Sequence, residues 1–346
     1  MAPNAPTGRA RPHSQPSSAH NDCAINTMAE HIAPRQGSPL MNARIAYIPI
    51  TKRPDLRWPG GKRMACWIVP NVEHYQYLGD VGQKVDPYPR LPHPDMMVYT
   101  DVDYGNRIGF WRMLDVFDRY QLPITCSLNL AVYEMFPEIR EAGEARGWEV
   151  MSHGIYNSRH HWGLSRDDER AVIQNSIDRH KAMTRRDMRG FFAPFAASTE
   201  HTEDLCAELG LSYYVDYGFD DQPTPLRVPN GKLLAIPYSF DVNDGMNFRG
   251  NVEAKAFARN TIAYFDQLYS DSAHGGGRVA CIPIHPFFLG QPHRAKYLDE
   301  ILAHVSPHDD VWFATGSQIA DWYYEHHHPL IEPLLREAGF FEESRQ

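Results

Sequence analysis

From residue 64 onward, short apolar runs alternate with longer amphipathic stretches, and this alternation constrains the fold more than any other feature of the chain. Eight runs have the length and the apolar or β-branched content of buried strands. They are residues 65–72, 123–128, 148–152, 190–193, 212–216, 233–238, 279–284 and 311–315. Strands that alternate with helices build βα units around a mostly parallel sheet. We therefore predict an α/β fold, a distorted or incomplete (β/α) barrel of about seven or eight strands.

The stretches between the predicted strands carry helical patterns. Phe110, Leu114 and Phe117 recur at a spacing that places them on one helix face, and Pro123 prevents the helix from continuing. A second helix is predicted to begin after Ser165, because acidic residues crowd its first turn and favour the positive end of the helix dipole. Both patterns support the βα interpretation.

Length and local composition predict one large domain behind a leader. The chain has 346 residues, of which 42% are apolar or aromatic, so it can bury a substantial core. Residues 1–40 are rich in Pro, Ser, Ala, Asn and Arg and show no periodicity, which is typical of a flexible segment. We predict a flexible leader at 1–40 and a single barrel domain at 41–346.

Charge and hydropathy exclude several function classes. The 34 basic and 43 acidic side chains leave a net charge of −9, and Lys and Arg are not clustered, so we expect no nucleic-acid partner. No apolar run approaches the roughly 18 residues that span a bilayer, and residues 1–40 lack the apolar core of a secretion signal. We expect no membrane partner and a cytoplasmic protein. The five cysteines form no Cys-x-x-Cys pair and are predicted to fill the core.

Three predicted strands end in residues that can perform acid–base chemistry. In barrels of this kind the reacting groups project from the C-terminal ends of the strands. Glu73 follows the first predicted strand, His153 the third and His285 the seventh. Hydrolysis of an amide needs a base for the water, a stabiliser for the oxyanion and an acid for the departing nitrogen. We predict that Glu73, His153 and His285 are catalytic.

Further polar residues near these strand ends are candidates for binding a small-molecule substrate. A planar imide presents alternating C=O and N–H groups, which the side chains of Asn71, Asn243 and Asp244 can match. Capping of strand ends and turns is the alternative for these three residues. Asn157 joins the substrate-binding set. Arg107 is assigned to an anionic substrate group or, alternatively, to an acidic neighbour.

A metal ion at this rim is an open question for the sequence. Glu73 and His153 are good ligands for Zn²⁺, and a bound cation would lower the pKa of water. The third ligand is missing from the pattern: His160 and His161 must loop back to reach the site, and Asn157 is a poor zinc ligand. A metal-free mechanism is preferred, and Zn²⁺ at Glu73 and His153 is the alternative.

Four strand-end motifs resemble those of the NodB-type polysaccharide deacetylases, over about residues 55–325. They are Asn71-Val72-Glu73, Ser152-His153-Gly154, Ala193-Pro194-Phe195 and Ile284-His285-Pro286. The chain is also similar to the branch of metal-independent allantoinases and cyclic imide hydrolases. That similarity lies in Tyr104-Gly105-Asn106-Arg107 followed by Gly109 and Trp111, in the pattern at 237–244, and in His-Pro-x-x-x-Gly-Gln-Pro at 285–292. The resemblance implies a distorted barrel, hydrolysis of a small molecule and a homo-oligomer, often a tetramer.

The departures from the deacetylase pattern are informative. That family has an aspartate base where this chain has Asn71, and a second histidine ligand where it has Asn157. Glu73 stands at the position of the metal-binding aspartate, and Phe192 replaces an arginine that orients the base. The allantoinase-like branch also lacks the full metal triad. The departures therefore weaken sugar deacetylation and favour a cyclic amide substrate.

The sequence predicts a hydrolase that cleaves a non-peptide C–N bond in a small cyclic amide, imide or ureide through an activated water. One alternative is a metal-dependent N-deacetylase of an amino sugar or an N-acyl small molecule. A second alternative is a catalytically inactive carbohydrate-binding protein, which Asn71 and Phe192 would explain as the loss of a base.

Overall fold

The computed structural model describes residues 44–78 and 94–341, so the predicted leader at 1–40 lies outside the described residues. Nine strands are present in this part of the chain. They are β1 Met64–Val72, β2 Thr125–Leu128, β3 Glu149–Ser152, β4 Gly190–Phe191, β5 Tyr213–Tyr214, β6 Thr224–Leu226, β7 Leu233–Ala235, β8 Arg278–Ile284 and β9 Val311–Phe313. All eight predicted strands are found.

The strands form one curled, mostly parallel sheet. Their order is β6-β7-β5-β4-β3-β2-β1-β8, and β9 pairs with the start of β1. Only the β6–β7 pair is antiparallel. Within the described ranges no pairing joins β8 to β6, so the sheet curls without closing. The predicted distorted, incomplete barrel is confirmed. The short strand β6 was not predicted, because three residues that include Pro225 carry no strand periodicity.

Eleven α-helices accompany these strands in the described ranges. They are α1 Met96–Tyr104, α2 Phe110–Tyr120, α3 Val132–Met135, α4 Pro137–Ala145, α5 Arg166–Thr184, α6 Thr202–Glu208, α7 Asp244–Arg249, α8 Ala254–Asp271, α9 Ala295–Val305, α10 Gly316–Trp322 and α11 His328–Glu337. A π-helical turn, Gly105–Gly109, joins α1 to α2. None of the described helices combines the length and the apolar character needed to cross a membrane.

The two helices predicted in detail form as expected. Helix α2 buries Phe110, Leu114 and Phe117 and ends at Gln121, which adopts a left-handed conformation. Helix α5 begins after Ser165, whose side chain accepts a hydrogen bond from the backbone N–H of Asp168. This cap satisfies one of the free N–H groups at the helix start, and the acidic first turn complements the dipole.

Strand β1 is the centre of the sheet and divides the core into two layers. All nine of its residues are buried. Met64, Cys66 and Ile68 pack in the cluster that includes the surrounding helices. Trp67 and Val69 pack in a second cluster, which fills the inside of the barrel. Since successive side chains of a strand point to opposite faces, the odd-numbered residues of β1 face the barrel interior.

The described cysteines have the predicted core role. Cys66, Cys126, Cys206 and Cys281 are free and buried. Burial raises the pKa of the Cys66 and Cys126 thiols far above the ordinary value, so both remain neutral.

Candidate functional site

Glu73 lies at the C-terminal end of β1, at the mouth of the barrel. The alternation that directs Trp67 and Val69 inward also directs Asn71 and Glu73 inward, and Glu73 is only 5% exposed. Asn106, in the π-helical turn, donates its Nδ2–H to the backbone carbonyl of Glu73 at 2.8 Å. The strand and this turn together fix the position of the carboxylate.

The structure brings the three predicted catalytic residues together. His153 Nε2 lies 3.5 Å from Glu73 Oε1, and His285 Nε2 lies 3.3 Å from the same oxygen. His153 directly follows β3 and His285 directly follows β8, and both are buried. A single carboxylate oxygen therefore faces two imidazoles in a site that is largely closed to solvent.

Glu73 is ionised throughout the physiological pH range. Burial opposes its ionisation, but interactions with His153 and His285 outweigh burial and lower the pKa of Glu73 to about 2. A carboxylate with so low a pKa is a weak base. It is suited instead to orient a water and to stabilise positive charge on the adjacent imidazoles.

The His153 ring is held in one orientation by a backbone carbonyl and a neighbouring aromatic ring. Its Nδ1 lies 3.0 Å from the carbonyl oxygen of Phe192, and because a carbonyl can only accept, Nδ1–H is the donor. Nε2 is therefore the ring nitrogen that faces Glu73 Oε1. The His153 ring also stacks on the Phe192 ring, with centroids 4.5 Å apart.

His285 is held in its protonated form by Asp244. Its Nδ1 donates to Asp244 Oδ1 at 2.6 Å, and its backbone N–H donates to Asp244 Oδ2 at 2.9 Å. Burial alone would favour the neutral ring, but Asp244 and then Glu73 outweigh it and raise the pKa of His285 to about 9. At neutral pH His285 is therefore an imidazolium that can act as an acid.

Three buried acceptor atoms at the site have no hydrogen-bond donor among residues 44–78 and 94–341. They are Glu73 Oε2, Asn71 Oδ1 and Asn157 Oδ1. The amide nitrogens are engaged: Asn71 Nδ2 donates to Tyr238 at 2.9 Å, and Asn157 Nδ2 donates to Tyr75 at 3.1 Å. A buried acceptor without a donor destabilises the protein by about 1–3 kcal/mol, so these atoms suit a ligand that brings N–H groups.

The structure corrects the roles predicted for the other substrate-binding candidates. Asn243 caps α7: its Oδ1 accepts from two backbone N–H groups and its Nδ2 donates to Tyr238. Asp244 accepts hydrogen bonds from His285 with both of its oxygens, so its observed partner is that residue. Arg107 forms an ion pair with Asp103 and its side chain is 66% exposed, so the alternative of an acidic neighbour holds.

Glycines in the motifs around the site allow two backbone segments to touch. A Cβ on Gly109 would lie 2.0 Å from the carbonyl oxygen of Pro286, and a Cβ on Gly290 would lie 2.2 Å from the same atom. A Cβ on Gly105 would lie 2.7 Å from the backbone nitrogen of Phe287. The π-helical turn thus packs directly on the loop that carries His285, which explains why both motifs contain glycine.

Residues that position the site were missed by the sequence predictions. Asn129, which follows β2, accepts from the backbone N–H of His74 at 2.8 Å and donates to the carbonyl oxygen of His153. The strand-end rule that selected Glu73 applies equally to Asn129. Tyr238, whose hydroxyl accepts from two asparagines, lies in an apolar run and gave no such signal.

The residues at the site do not fit a tightly held zinc ion. Protein zinc sites use at least three protein ligands, and Glu73 and His153 supply two. Within the described residues the donor atoms of Glu73, His153 and His285 do not all lie within 4.8 Å of one another, and the Asn157 amide oxygen is a poor zinc ligand. In the described ranges the group of three potential ligands with donor atoms within 4.8 Å of one another lies elsewhere, at Asp266, His304 and His308.

Comparisons with known proteins agree with this architecture. The profile of the family described as polysaccharide deacetylase matches residues 90–214. A Schizosaccharomyces pombe protein named "Putative polysaccharide deacetylase" is 28% identical over 307 residues, covering 78% of this chain and 93% of that protein. A Helicobacter pylori peptidoglycan deacetylase is 24% identical over 251 residues, covering 63% and 84%. The crystal structure of Puue allantoinase matches with a TM-score of 0.71 at 25% identity, covering 80% of this chain and 95% of that one.

Proposed function

We propose that this chain is a hydrolase of the polysaccharide deacetylase family and that it opens a small cyclic amide, imide or ureide by hydrolysing a ring C–N bond. The observation that carries this proposal is the pairing of a base and an acid on one carboxylate. His153 presents a basic nitrogen to Glu73, and His285 presents an acidic N–H to the same oxygen.

The reaction follows from these positions. His153 Nε2 takes a proton from a water that Glu73 orients, and the water oxygen forms a bond to the ring carbonyl carbon. Charge that develops on His153 is stabilised by the Glu73 carboxylate. His285 donates its Nε2 proton to the ring nitrogen as the C–N bond breaks. The products are a carboxylic acid and an amine or amide within one opened molecule.

A ring substrate is favoured by the unpaired acceptors. Asn71 Oδ1, Asn157 Oδ1 and Glu73 Oε2 are buried and can accept from the N–H groups that imides and ureides present. A polysaccharide N-acetyl group offers only a single N–H. The similarity to Puue allantoinase, at 25% identity over 95% of that chain, supports a ureide or a related ring.

A second candidate is a metal-dependent N-deacetylase of an amino sugar or an N-acyl small molecule. The two curated relatives carry deacetylase names. The hydrogen bond from His153 Nδ1 to a backbone carbonyl is also the arrangement that orients metal-ligating histidines. We rank this candidate second, because in the described part of the chain no His, Cys, Asp or Glu completes a group of three ligand atoms with Glu73 and His153.

One experiment separates the two candidates. Purified protein is assayed on hydantoin, dihydrouracil, succinimide and N-acetylglucosamine oligomers, before and after chelation, and its metal content is measured on the same sample. We expect ring opening that survives chelation, with metal well below one ion per chain. Deacetylation that requires a stoichiometric metal would replace our proposal with the second candidate. The cytoplasmic location and the homo-oligomer stay predictions.

A further inference from the structure

Two arginines lie beside the site and have no carboxylate at ion-pair distance within residues 44–78 and 94–341. Arg249 is the last residue of α7, the helix that begins with Asp244. Arg294 directly precedes α9, at the end of the loop that starts with His285. Neither is assigned a role in acid–base chemistry. Unpaired guanidinium groups at the mouth of a pocket are available to a ligand.

The two arginines lie on a shared aromatic surface next to the catalytic acid. The guanidinium carbon of Arg249 is 5.5 Å from the ring centroid of Phe288, and that of Arg294 is 4.1 Å from the ring centroid of Phe248. The two phenylalanine rings are 6.1 Å apart. The Phe288 ring is in turn 5.8 Å from the ring of His285. Phe248 and Phe288 therefore connect both arginines to the His285 ring.

Arg249 also reaches the opposite wall of the site. Burial and the nearby Glu73 carboxylate raise the pKa of Tyr75. A hydrogen bond and the charge of Arg249 lower it, so the guanidinium lies beside the Tyr75 hydroxyl. The Tyr75 hydroxyl accepts the Asn157 amide hydrogen at 3.1 Å. The guanidinium carbon is 5.6 Å from the Phe195 ring centroid. From the end of α7, the Arg249 side chain thus extends over the mouth of the site towards Tyr75 and Phe195.

Acidic groups also lie near the two arginines. Asp101, on α1, is near both arginines: burial raises the pKa of Asp101, and Arg294 and Arg249 oppose this effect. Asp244 is near Arg294 as well, but its two oxygens are engaged by His285. The two guanidinium groups therefore have one nearby carboxylate, that of Asp101, that His285 does not engage.

We propose that Arg249 and Arg294 form an anion-binding subsite that holds a carboxylate carried by the substrate, beside the ring that is opened. A guanidinium binds a carboxylate with charge-assisted hydrogen bonds, and packing on aromatic faces removes competing water from it. This inference rests on the proposed function, because it assigns the ring an acidic substituent. It predicts that the preferred substrate is a cyclic ureide or imide with a carboxylate side chain.

The test compares hydantoin with hydantoin-5-acetate, which differ by one carboxymethyl group. The measured quantity is the ratio of kcat/KM for the charged ring to that for the neutral ring. We expect the wild-type ratio to exceed one, and Arg249→Gln and Arg294→Gln each to lower it by roughly 10- to 100-fold, the usual effect of losing a hydrogen bond to a charged group. Arg249→Lys keeps the charge and should lose less. Arg259→Gln, on the exposed face of α8, is the matched control and should leave the ratio unchanged.

The outcomes separate the subsite from the proposed function. If the wild type opens hydantoin without favouring the charged ring, or if both Gln variants keep the wild-type ratio, the subsite is overturned and ring opening stands. If the wild type opens neither ring and deacetylates N-acetylglucosamine oligomers, both proposals fail together. Thermal unfolding of each variant shows that a changed ratio does not arise from partial unfolding.

Discussion

Asp244→Asn tests the assignment of His285 as the acid. The change replaces a buried carboxylate with a neutral group of the same shape, and it removes the largest interaction that favours the imidazolium. The pKa of His285 should then fall from about 9 towards the ordinary value of 6.5. An acid works only while it is protonated, so activity is lost as pH rises through this pKa. The alkaline limb of the pH–rate profile should therefore move to lower pH in the variant.

The magnitude follows from the protonated fraction. At pH 8 an imidazolium with a pKa of about 9 is roughly 90% protonated, and one with a pKa of about 6.5 is roughly 3% protonated. The variant should therefore lose roughly 30-fold in kcat/KM at pH 8 and much less at pH 6.

The assay is initial-rate hydrolysis of a ring substrate from pH 5 to pH 10, with Asp241→Asn as the matched control. Asp241 is exposed and lies in the segment before α7, whereas the carboxylates that His285 contacts in the described residues are those of Asp244 and Glu73. The control should keep the wild-type profile. If the Asp244→Asn profile overlays that of the wild type, His285 is not the acid whose titration limits the rate.

Three further predictions follow from the same structure. Glu73→Gln should lower kcat at least about 1,000-fold with the fold intact by circular dichroism, whereas Glu253→Gln at the exposed start of α8 should retain wild-type activity. Gly109→Ala should reduce the free energy of unfolding, measured in urea, by about 2 kcal/mol or more, because the added Cβ would overlap the Pro286 carbonyl oxygen. The control Gly143→Ala, in α4, should be neutral or stabilising. Equal effects of the two substitutions would refute the close approach at Gly109. The folded-state pKa of His285 is raised, so its contribution to stability is fully present below about pH 6.5 and is lost as pH rises towards about 9. A free energy of unfolding that stays constant between these pH values would contradict the assignment of His285 as an imidazolium.

The sequence predicted much of the fold because β1 and its neighbours follow simple periodicity. The eight predicted strands are those whose runs are apolar enough to be buried on both faces, as parallel strands are. Strand β6 was not predicted, because it pairs in a short antiparallel hairpin that includes Pro225. The missed π-helical turn, Gly105–Gly109, depends on a backbone contact with Pro286, which no local pattern records.

The candidate site was likewise predicted from the sequence only in part. Glu73, His153 and His285 could be found from sequence, because a residue that directly follows a parallel strand lies on one rim of the barrel whatever the loops do. The pairing of Asp244 with His285 could not be found, because it joins residues 41 positions apart through the course of a loop and a short helix. The side-chain chemistry of Asn243 and Arg107 suggested that they bind substrate. In the structure Asn243 caps α7, and Arg107 forms an ion pair with Asp103 on α1.

By itself the sequence determined which side chains stand at the barrel rim, since strand periodicity and chain order act locally along the chain. The tertiary structure alone decided what those side chains do. Contacts with Asp244 raise the pKa of His285, the Phe192 carbonyl orients the His153 ring, and Arg249 packs on Phe288. Protonation states and charge balance depend on distances of a few ångströms between distant segments, and electrostatic energy at that range is set by packing and not by sequence order.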